Sequence, residues 1–416
     1  VLLIHLPEKI KNMKPIVAAI LLLLTLSCHR SGIHPEVAVV VSNAGKDASC
    51  PFITKDTEGH PVISWVEKDS SADTGVMYYA VSNDNGYTFS ESIMIPATTG
   101  VFPHDENLPK LLFKPDGNVI ALFGVEANDP RNKYAGKVMY TQSFDHGKSW
   151  QVAVPLVTDT AGYDQRYFDM ALLPGGEAAA IWLDNRKQTN AEGSTLYFAV
   201  TNGQNGFQSA MPVATTICQC CRTKMYVADN GNIHLAYRDI INDSIRDMVH
   251  QVSTDGGKSF SAPVRISADN WVVNGCPHTG PTLTANSTGL HFAWFTMGGG
   301  QGAFYCRSVD NGHTYTQKES LSKVPMAKHP QMTTVNDQIL VVWDEPVKWK
   351  NDFNSRIGFQ YKAADGKTIQ AGVLTTDSSY ANFPVISAVK ADKVLVAYKR
   401  RTGNRSEVVV NSVDLP

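Results

Sequence analysis

Seven times along the chain an apolar run closes on an aromatic residue and then gives way to polar ones. The runs are ISWVE at Trp65, ALFGVE at Phe123, AIWLDNR at Trp182, LAYRD at Tyr237, FAWFT at Trp294, VVWDE at Trp343 and VAYKR at Tyr398. Their aromatics are 58, 59, 55, 57, 49 and 55 residues apart. Short apolar runs bounded by turn residues predict buried strands. A near-constant spacing of this size predicts repeated supersecondary units stacked into one core. Six runs are followed by a further strand and a turn signal, whereas the seventh is followed only by SEVVVNSV before the sequence stops. An apolar segment, EVAVVVS at residues 36–42, precedes the first unit. Pairing it into the last unit would cover an exposed strand edge. The sequence shows no long amphipathic helix.

A second, independent repeat marks the turns. SNDNGYTF, SFDHGKSW, STDGGKSF and SVDNGHTY, starting at Ser82, Ser143, Ser253 and Ser308, all read S-x-D-x-G-x-[ST]-[FWY]. TNGQNGFQ at Thr201 is a weaker copy and AADGKT at Ala363 a shortened one. The five starts from Ser82 to Ser308 are 61, 58, 52 and 55 residues apart. The Asp accepts hydrogen bonds from backbone N–H groups just ahead of it, and the Gly supplies a positive φ. Asp84, Asp145, Asp255 and Asp310 are thus expected to be turn residues rather than catalytic acids. The pattern resembles the Asp box, or BNR repeat, of the sialidase-like β-propellers. The resemblance implies an all-β propeller of four-stranded antiparallel blades, closed by the N-terminal strand. Seven units favour seven blades; six, the number in many sialidases, is the alternative.

Composition agrees with one large core. The 416 residues are 43% hydrophobic and 18% charged, and the repeat runs through them without a linker. The net charge of −2 leaves no electrostatic footprint for nucleic acid. The N-terminal stretch reads as a targeting segment. Met13-Lys14 opens it, residues 16–26 are apolar, and Ser27-Cys28 ends it. That stretch is short for a membrane span. A Cys in this place resembles a bacterial lipoprotein signal, with Cys28 lipidated; an ordinary cleaved signal peptide is the alternative. The expected organisation is a signal segment at 1–28, a linker at 29–35 and a propeller at 36–416, a monomer in the cell envelope outside the cytoplasm.

In a propeller the first strand of each blade starts on the face where the second ends. This collects a polar set around one axial mouth, the default site for a ligand. Arg166, Arg186, Arg222, Arg238 and Arg246 gather there among carboxylates, Asp184 included. Arginines in one cleft suit an anionic ligand through bidentate hydrogen bonds. Sialidases use such a cluster with a Tyr/Glu nucleophile pair and an Asp acid/base. The resemblance therefore implies exo-hydrolysis of a terminal acidic sugar on a glycan. Tyr380 with Glu345 would be the nucleophile pair, Asp105 or Asp239 the acid/base, and Arg186, Arg222 and Arg238 the carboxylate clamp. At the first blade, where sialidases carry an R-I-P motif, this chain reads Ser49-Cys50-Pro51. The structural alternative is that Asp184–Arg186 and Arg238–Asp239 are ion pairs.

The same mouth collects soft ligands: Cys50, Cys218, Cys220, Cys221 and Cys276, with His104, His278 and His329. Thiolate and imidazole together bind copper or zinc. Six cysteines beyond Cys28 also make an even number, so structural disulfides stand beside the metal reading. Beyond the turn repeat, WLDNR, ICQCCRT, AYRD, SIRDM, DNWVVNGCPHTGP and AWFT resemble a group of bacterial BNR-repeat proteins. Binding without chemistry, to a glycan or as a scaffold, is a further reading of the same mouth.

Overall fold

The computed structural model describes residues 32–416, apart from residues 36, 70, 160, 187–189 and 276. The signal segment with Cys28, and Cys276, lie outside the described residues. The described chain is built of antiparallel strands in seven consecutive groups. Group one is Asp47–Lys55, Pro61–Lys68, Val76–Val81 and Ile93–Ile95; group two is Lys110–Phe113, Val119–Glu126, Gly136–Ser143 and Val154–Pro155. Group three is Gln165–Leu172, Ala178–Asp184, Ser194–Val200 and Met211–Ile217; group four is Lys224–Val227, Ile233–Ile241, Ile245–Ser253 and Val264–Arg265. Group five is Thr282–Asn286, Gly289–Thr296, Gly302–Ser308 and Glu319–Ser320; group six is Lys328–Val335, Gln338–Trp349, Asp352–Lys362 and Thr368–Val373. Group seven is Ala381–Lys390, Lys393–Thr402 and Arg405–Asp414. Groups three and four are joined edge to edge by the Ile217–Asp239 pair.

Group seven takes its outer strand from the N-terminal segment. His34–Pro35 pairs with Val413 and Asp414, and Val39–Val40 pairs with Val409 and Val410. The expected continuous strand at 36–42 is thus two short pieces. The first strand of each group packs beside the first strand of the next, and Ala381–Lys390 packs beside Asp47–Lys55.

The repeated apolar runs are the second strands. Ala178–Asp184 is buried at every position, and Pro61–Lys68 at all but its last. A strand covered on both faces is apolar throughout instead of alternating. The aromatic that closes each run often ties its indole N–H to a carboxylate. Trp65 donates to Glu67 at 2.7 Å, Trp343 to Glu345 at 2.8 Å and Trp294 to Asp269 at 2.8 Å.

The octapeptides are turns, and the Ser, Asp, Gly and Ser/Thr positions of the consensus each have a bond to explain them. At the first, the Asp84 carboxylate receives the Thr88 N–H at 2.8 Å, the Thr88 hydroxyl and the Ser82 hydroxyl. The Gly86 N–H donates to Ser82 Oγ at 2.7 Å, and Gly86 has φ 93°. Asp145, Asp255 and Asp310 repeat this set.

Candidate functional site

Four first strands carry a left-handed, non-glycine residue within their first four positions: Cys50 (φ 56°), Tyr167 (φ 54°), His329 (φ 52°) and Phe383 (φ 52°). At each the pairing register breaks, between Ser49 and Phe52, Arg166 and Asp169, Lys328 and Gln331, and Asn382 and Val385. Such bulges re-aim a side chain at the end of a strand. A left-handed bulky residue is strained and persists only where neighbours hold it. At three of the four a side chain from another segment captures the amide. Cys50 N–H donates to Asp105 at 3.2 Å, Tyr167 N–H to Asn107 at 2.7 Å and Phe383 N–H to Asp344 at 2.8 Å.

Residues 104–107, between groups one and two, tie the other groups together. Asp105 holds the Cys50 amide of group one and pairs with Lys399 of group seven. Glu106 lies 3.5 Å from Arg222 Nη1, ahead of group four, and 3.4 Å from His329 Nε2 of group six. Asn107 holds Tyr167 of group three. The His104 ring stands edge-on to Tyr167 at 6.0 Å and lies 6.4 Å from the ring of His278, ahead of group five. Gly280 belongs to the same junction, because a Cβ there would sit 2.2 Å from the Arg222 carbonyl oxygen.

Burial raises the Glu106 carboxyl above its usual range despite Arg222 and His329. Its Oε2 and Arg222 Nη2 are both buried without a hydrogen-bond partner among the described residues. For His329, burial disfavours the cation, but Asp344 at 2.7 Å and Glu106 outweigh it and raise the imidazole. Phe383 stacks on that ring at 4.2 Å.

Beside this junction lies a cavity of about 590 Å³. Its wall includes His104, Asn107, Arg166, Tyr167, Cys220 and His278. Tyr134, 69% exposed, stands at its rim. Burial lowers the His104 imidazole and raises the Tyr167 phenol, so both are neutral near pH 7. The Glu106 N–H donates to His104 Nδ1 at 3.2 Å, which leaves the ring proton on Nε2. One carboxylate, Glu126, is among the described lining residues.

The expected arginine clamp is not assembled at this wall. Arg238 is 0% exposed and donates to the carbonyls of Arg246 (2.9 Å) and Phe295 (2.8 Å). The expected Arg238–Asp239 pair is replaced by these bonds, and Asp239 accepts instead from the Thr216 hydroxyl and the Ile240 N–H. Arg186 does pair with Asp184, at 2.9 Å, and also with Asp159. Arg246 reaches Glu192, the Val273 carbonyl and Cys218. Side-chain exposure is 11% for Arg186, 8% for Arg222 and 10% for Arg246, against 24% for Arg166. Arg166, paired with Asp164 at 2.6 Å, is therefore the mouth arginine best placed to meet a ligand.

Glu345 is held by Trp343, the Ser322 hydroxyl and two Arg356 nitrogens, at 3.0 and 2.8 Å. None of these bonds reaches Tyr380, whose ring lies under Arg401 at 5.1 Å. Burial raises the carboxyls of Asp184 and Asp239.

The soft ligands divide into three places. Cys218, Cys220 and Cys221 converge, their sulfurs within 4.8 Å of one another and all buried. Cys50 stands apart beside Asp105, its thiol raised by burial and by that carboxylate. His104 and His278 line the cavity with Cys220, whereas His329 belongs to the Glu106–Asp344 chain. The five described cysteines are free thiols.

Strand position puts Glu106, Tyr167 and Asp344 at the mouth without giving them a role, and sequence reasoning misses Asn107. A signal for the junction was present: Cys50-Pro51, Leu108-Pro109, Gly280-Pro281, His329-Pro330 and Phe383-Pro384 recur at strand starts. A residue before proline is pushed out of the helical region, so this dipeptide marks each strand entry.

Searches against known protein-family models and against curated protein sequences find no match. Solved structures do resemble the fold. A Dyadobacter fermentans protein of unknown function is 15% identical over 93% of this chain and 100% of its own, with a TM-score of 0.55. A PL25 ulvan lyase is 12% identical over 89% of this chain and 94% of its own, with a TM-score of 0.59. The polysaccharide lyase Uly1 is 12% identical, covers 92% of both chains and has a TM-score of 0.57. At such identities the likeness establishes fold alone: antiparallel four-stranded sheets arranged as in propeller-type enzymes.

Proposed function

We propose that the chain is a seven-bladed propeller, closed by its N-terminal segment, that binds and processes an acidic glycan in the cavity at its axial mouth. The observation that carries this reading is the composition of that wall. Two imidazoles, a tyrosine and the most exposed mouth arginine meet there, below an exposed aromatic on which a sugar ring can stack. Arg166 would meet the sugar carboxylate. His278 would take the proton from the neighbouring carbon, Tyr167 would give one to the departing glycosidic oxygen, and His104 would donate from Nε2. In that elimination the C–H pair becomes the new C=C bond as the C–O bond breaks. Two-carboxylate hydrolysis needs a facing pair, and the described lining offers one carboxylate. The solved structures of polysaccharide lyases that share the fold are in keeping with this chemistry.

Hydrolysis by Tyr380 and Glu345 is the competing reading and has less support, because Glu345 is committed to Arg356 and Trp343. The test is a panel of uronate-containing and sialylated glycans with two readouts. Elimination gives the ultraviolet absorbance of an unsaturated uronate, and hydrolysis gives a released acidic sugar without it. We expect the first, lost in Tyr167→Phe and His278→Ala. Release of sialic acid would establish the competing reading, and no product or binding on any acidic glycan would overturn both. The lipoprotein anchor at Cys28 is part of the same proposal. Cys28→Ser should abolish labelling by a fatty acid and release the chain from membranes.

A further inference from the structure

The three thiols between groups three and four have no part in the glycan reading. Cys218, Cys220 and Cys221 sit on one tight turn after Met211–Ile217, where the Cys221 N–H points back to the Cys218 carbonyl at 3.5 Å. They are 0%, 5% and 1% exposed, and the Cys218 and Cys220 sulfurs are 3.7 Å apart. Small apolar packing alone would be met by one sulfur facing core. Here three face each other, and Arg246 aims Nη1 at Cys218 Sγ from 3.3 Å. A guanidinium against sulfur favours thiolate, the form that binds metals. Arg246 is itself fixed by Glu192 and the Val273 carbonyl, as an orienting outer partner of a metal ligand is. The cluster is reached from the mouth, since Cys220 shares the cavity wall with His104 and His278.

We propose that Cys218, Cys220 and Cys221 form a three-thiolate site for one thiophilic d10 cation, copper(I) or zinc(II). Sulfur donors select these ions over hard cations. The two differ in what they ask of the cavity side. Copper(I) is satisfied by three sulfurs, whereas zinc(II) completes a tetrahedron with a fourth ligand. His278 and His104 share the cavity wall with Cys220 but stand outside the three-sulfur cluster, so either would have to close on the ion to give it. Binding releases the thiol protons to solvent and changes no oxidation state.

The test uses the full chain, reduced and handled without oxygen. Copper(I) and zinc(II) are each titrated against a chromophoric chelator, followed by X-ray absorption of the loaded protein. We expect one equivalent of one ion, with sulfur scatterers at about 2.3 Å. Cys220→Ser and Cys221→Ser should each weaken retention by at least about tenfold, the least that loss of a supporting partner brings. Cys306→Ser, in strand Gly302–Ser308, should not. Weakening in His278→Ala identifies the zinc arm, and its absence the copper arm. Arg246→Lys serves as a second variant if the serine changes unfold the chain, and it too should weaken retention. The proposal is overturned if neither ion is retained, if the serine variants retain it unchanged, or if thiol mapping of the isolated chain finds any of the three in a disulfide.

Discussion

The Tyr167 N–H is received by the Asn107 side chain at 2.7 Å, and that bond holds a tyrosine backbone in the left-handed region. Thr223 completes the grip by donating its hydroxyl to the Tyr167 carbonyl at 2.7 Å. Asn107→Ala leaves a buried N–H unpaired and the strain unsupported. The expected loss is about 1–3 kcal/mol in denaturant melts, together with weaker glycan binding. Asn107→Asp keeps the acceptor and should restore most of the stability. If Asn107→Ala unfolds like the parent chain, the clamp is not what holds Tyr167.

Glu345 and Glu67 occupy the same place after a repeated tryptophan, and each takes the indole N–H of that tryptophan. This equivalence reads as architecture. Glu345→Gln should cost stability by roughly 2–4 kcal/mol, since one amide oxygen cannot accept both from Arg356, which meets Oε1, and from Trp343 and Ser322, which meet Oε2. Turnover per folded molecule should change little, as it should in Tyr380→Phe. A fall of orders of magnitude in either variant, with melting unchanged, would move the chemistry back to that pair.

The strand groups and their turns were legible because each rests on a local rule. Apolar runs buried on both faces, and a turn whose Ser, Asp, Gly and Thr each make a defined bond, are written in consecutive residues. The outer strand of group seven was legible for a global reason, namely an edge that needed cover. The site was less so. Arg238 and Arg166 look alike in sequence, yet one is spent on the carbonyls of Arg246 and Phe295 and the other reaches the cavity. Glu106 gains its place from Arg222 and His329, more than a hundred residues away. No periodicity encodes such pairings.

The buried histidines set the response to acid. His234 Nδ1 and His250 Nε2 are 2.9 Å apart, and burial lowers them to about 4 and about 3. Burial lowers His291 to about 4 as well. A depressed folded value means the unfolded chain binds more protons between that value and about 6.5. Their contribution is therefore present above about 6.5 and lost as pH falls toward 4. His329, raised, acts in the opposite sense: its contribution is present below about 6.5 and lost as pH rises through its folded value. The melting temperature should drop as pH goes from about 6.5 to 4. His250→Asn should flatten that drop, whereas His329→Gln should lower the melting temperature across the whole window without changing its slope, because the His329 contribution varies only above about 6.5. A melting temperature flat across this window would contradict the burial of the pair.

The N-terminal segment should matter more than its few paired residues suggest. Ile33 is 4% exposed and packs in the cluster that holds Leu374, Val409 and Val413, and its N–H donates to Gln370 at 2.9 Å. Val39 and Val40 pair with Val410 and Val409 on the outer edge of Arg405–Asp414. Removing residues 32–41 would uncover that edge and the apolar face between groups six and seven. An open edge of Val408, Val409 and Val410 is a template for pairing with other chains. Ile33→Ala isolates the packing part, with an expected cost of about 2–4 kcal/mol for a buried isoleucine. The full deletion should lose more than that and should form soluble aggregates on size-exclusion chromatography. Melting and elution identical to the parent chain would mean that the last sheet stands without its N-terminal strand, and the closed seven-bladed ring would have to be abandoned.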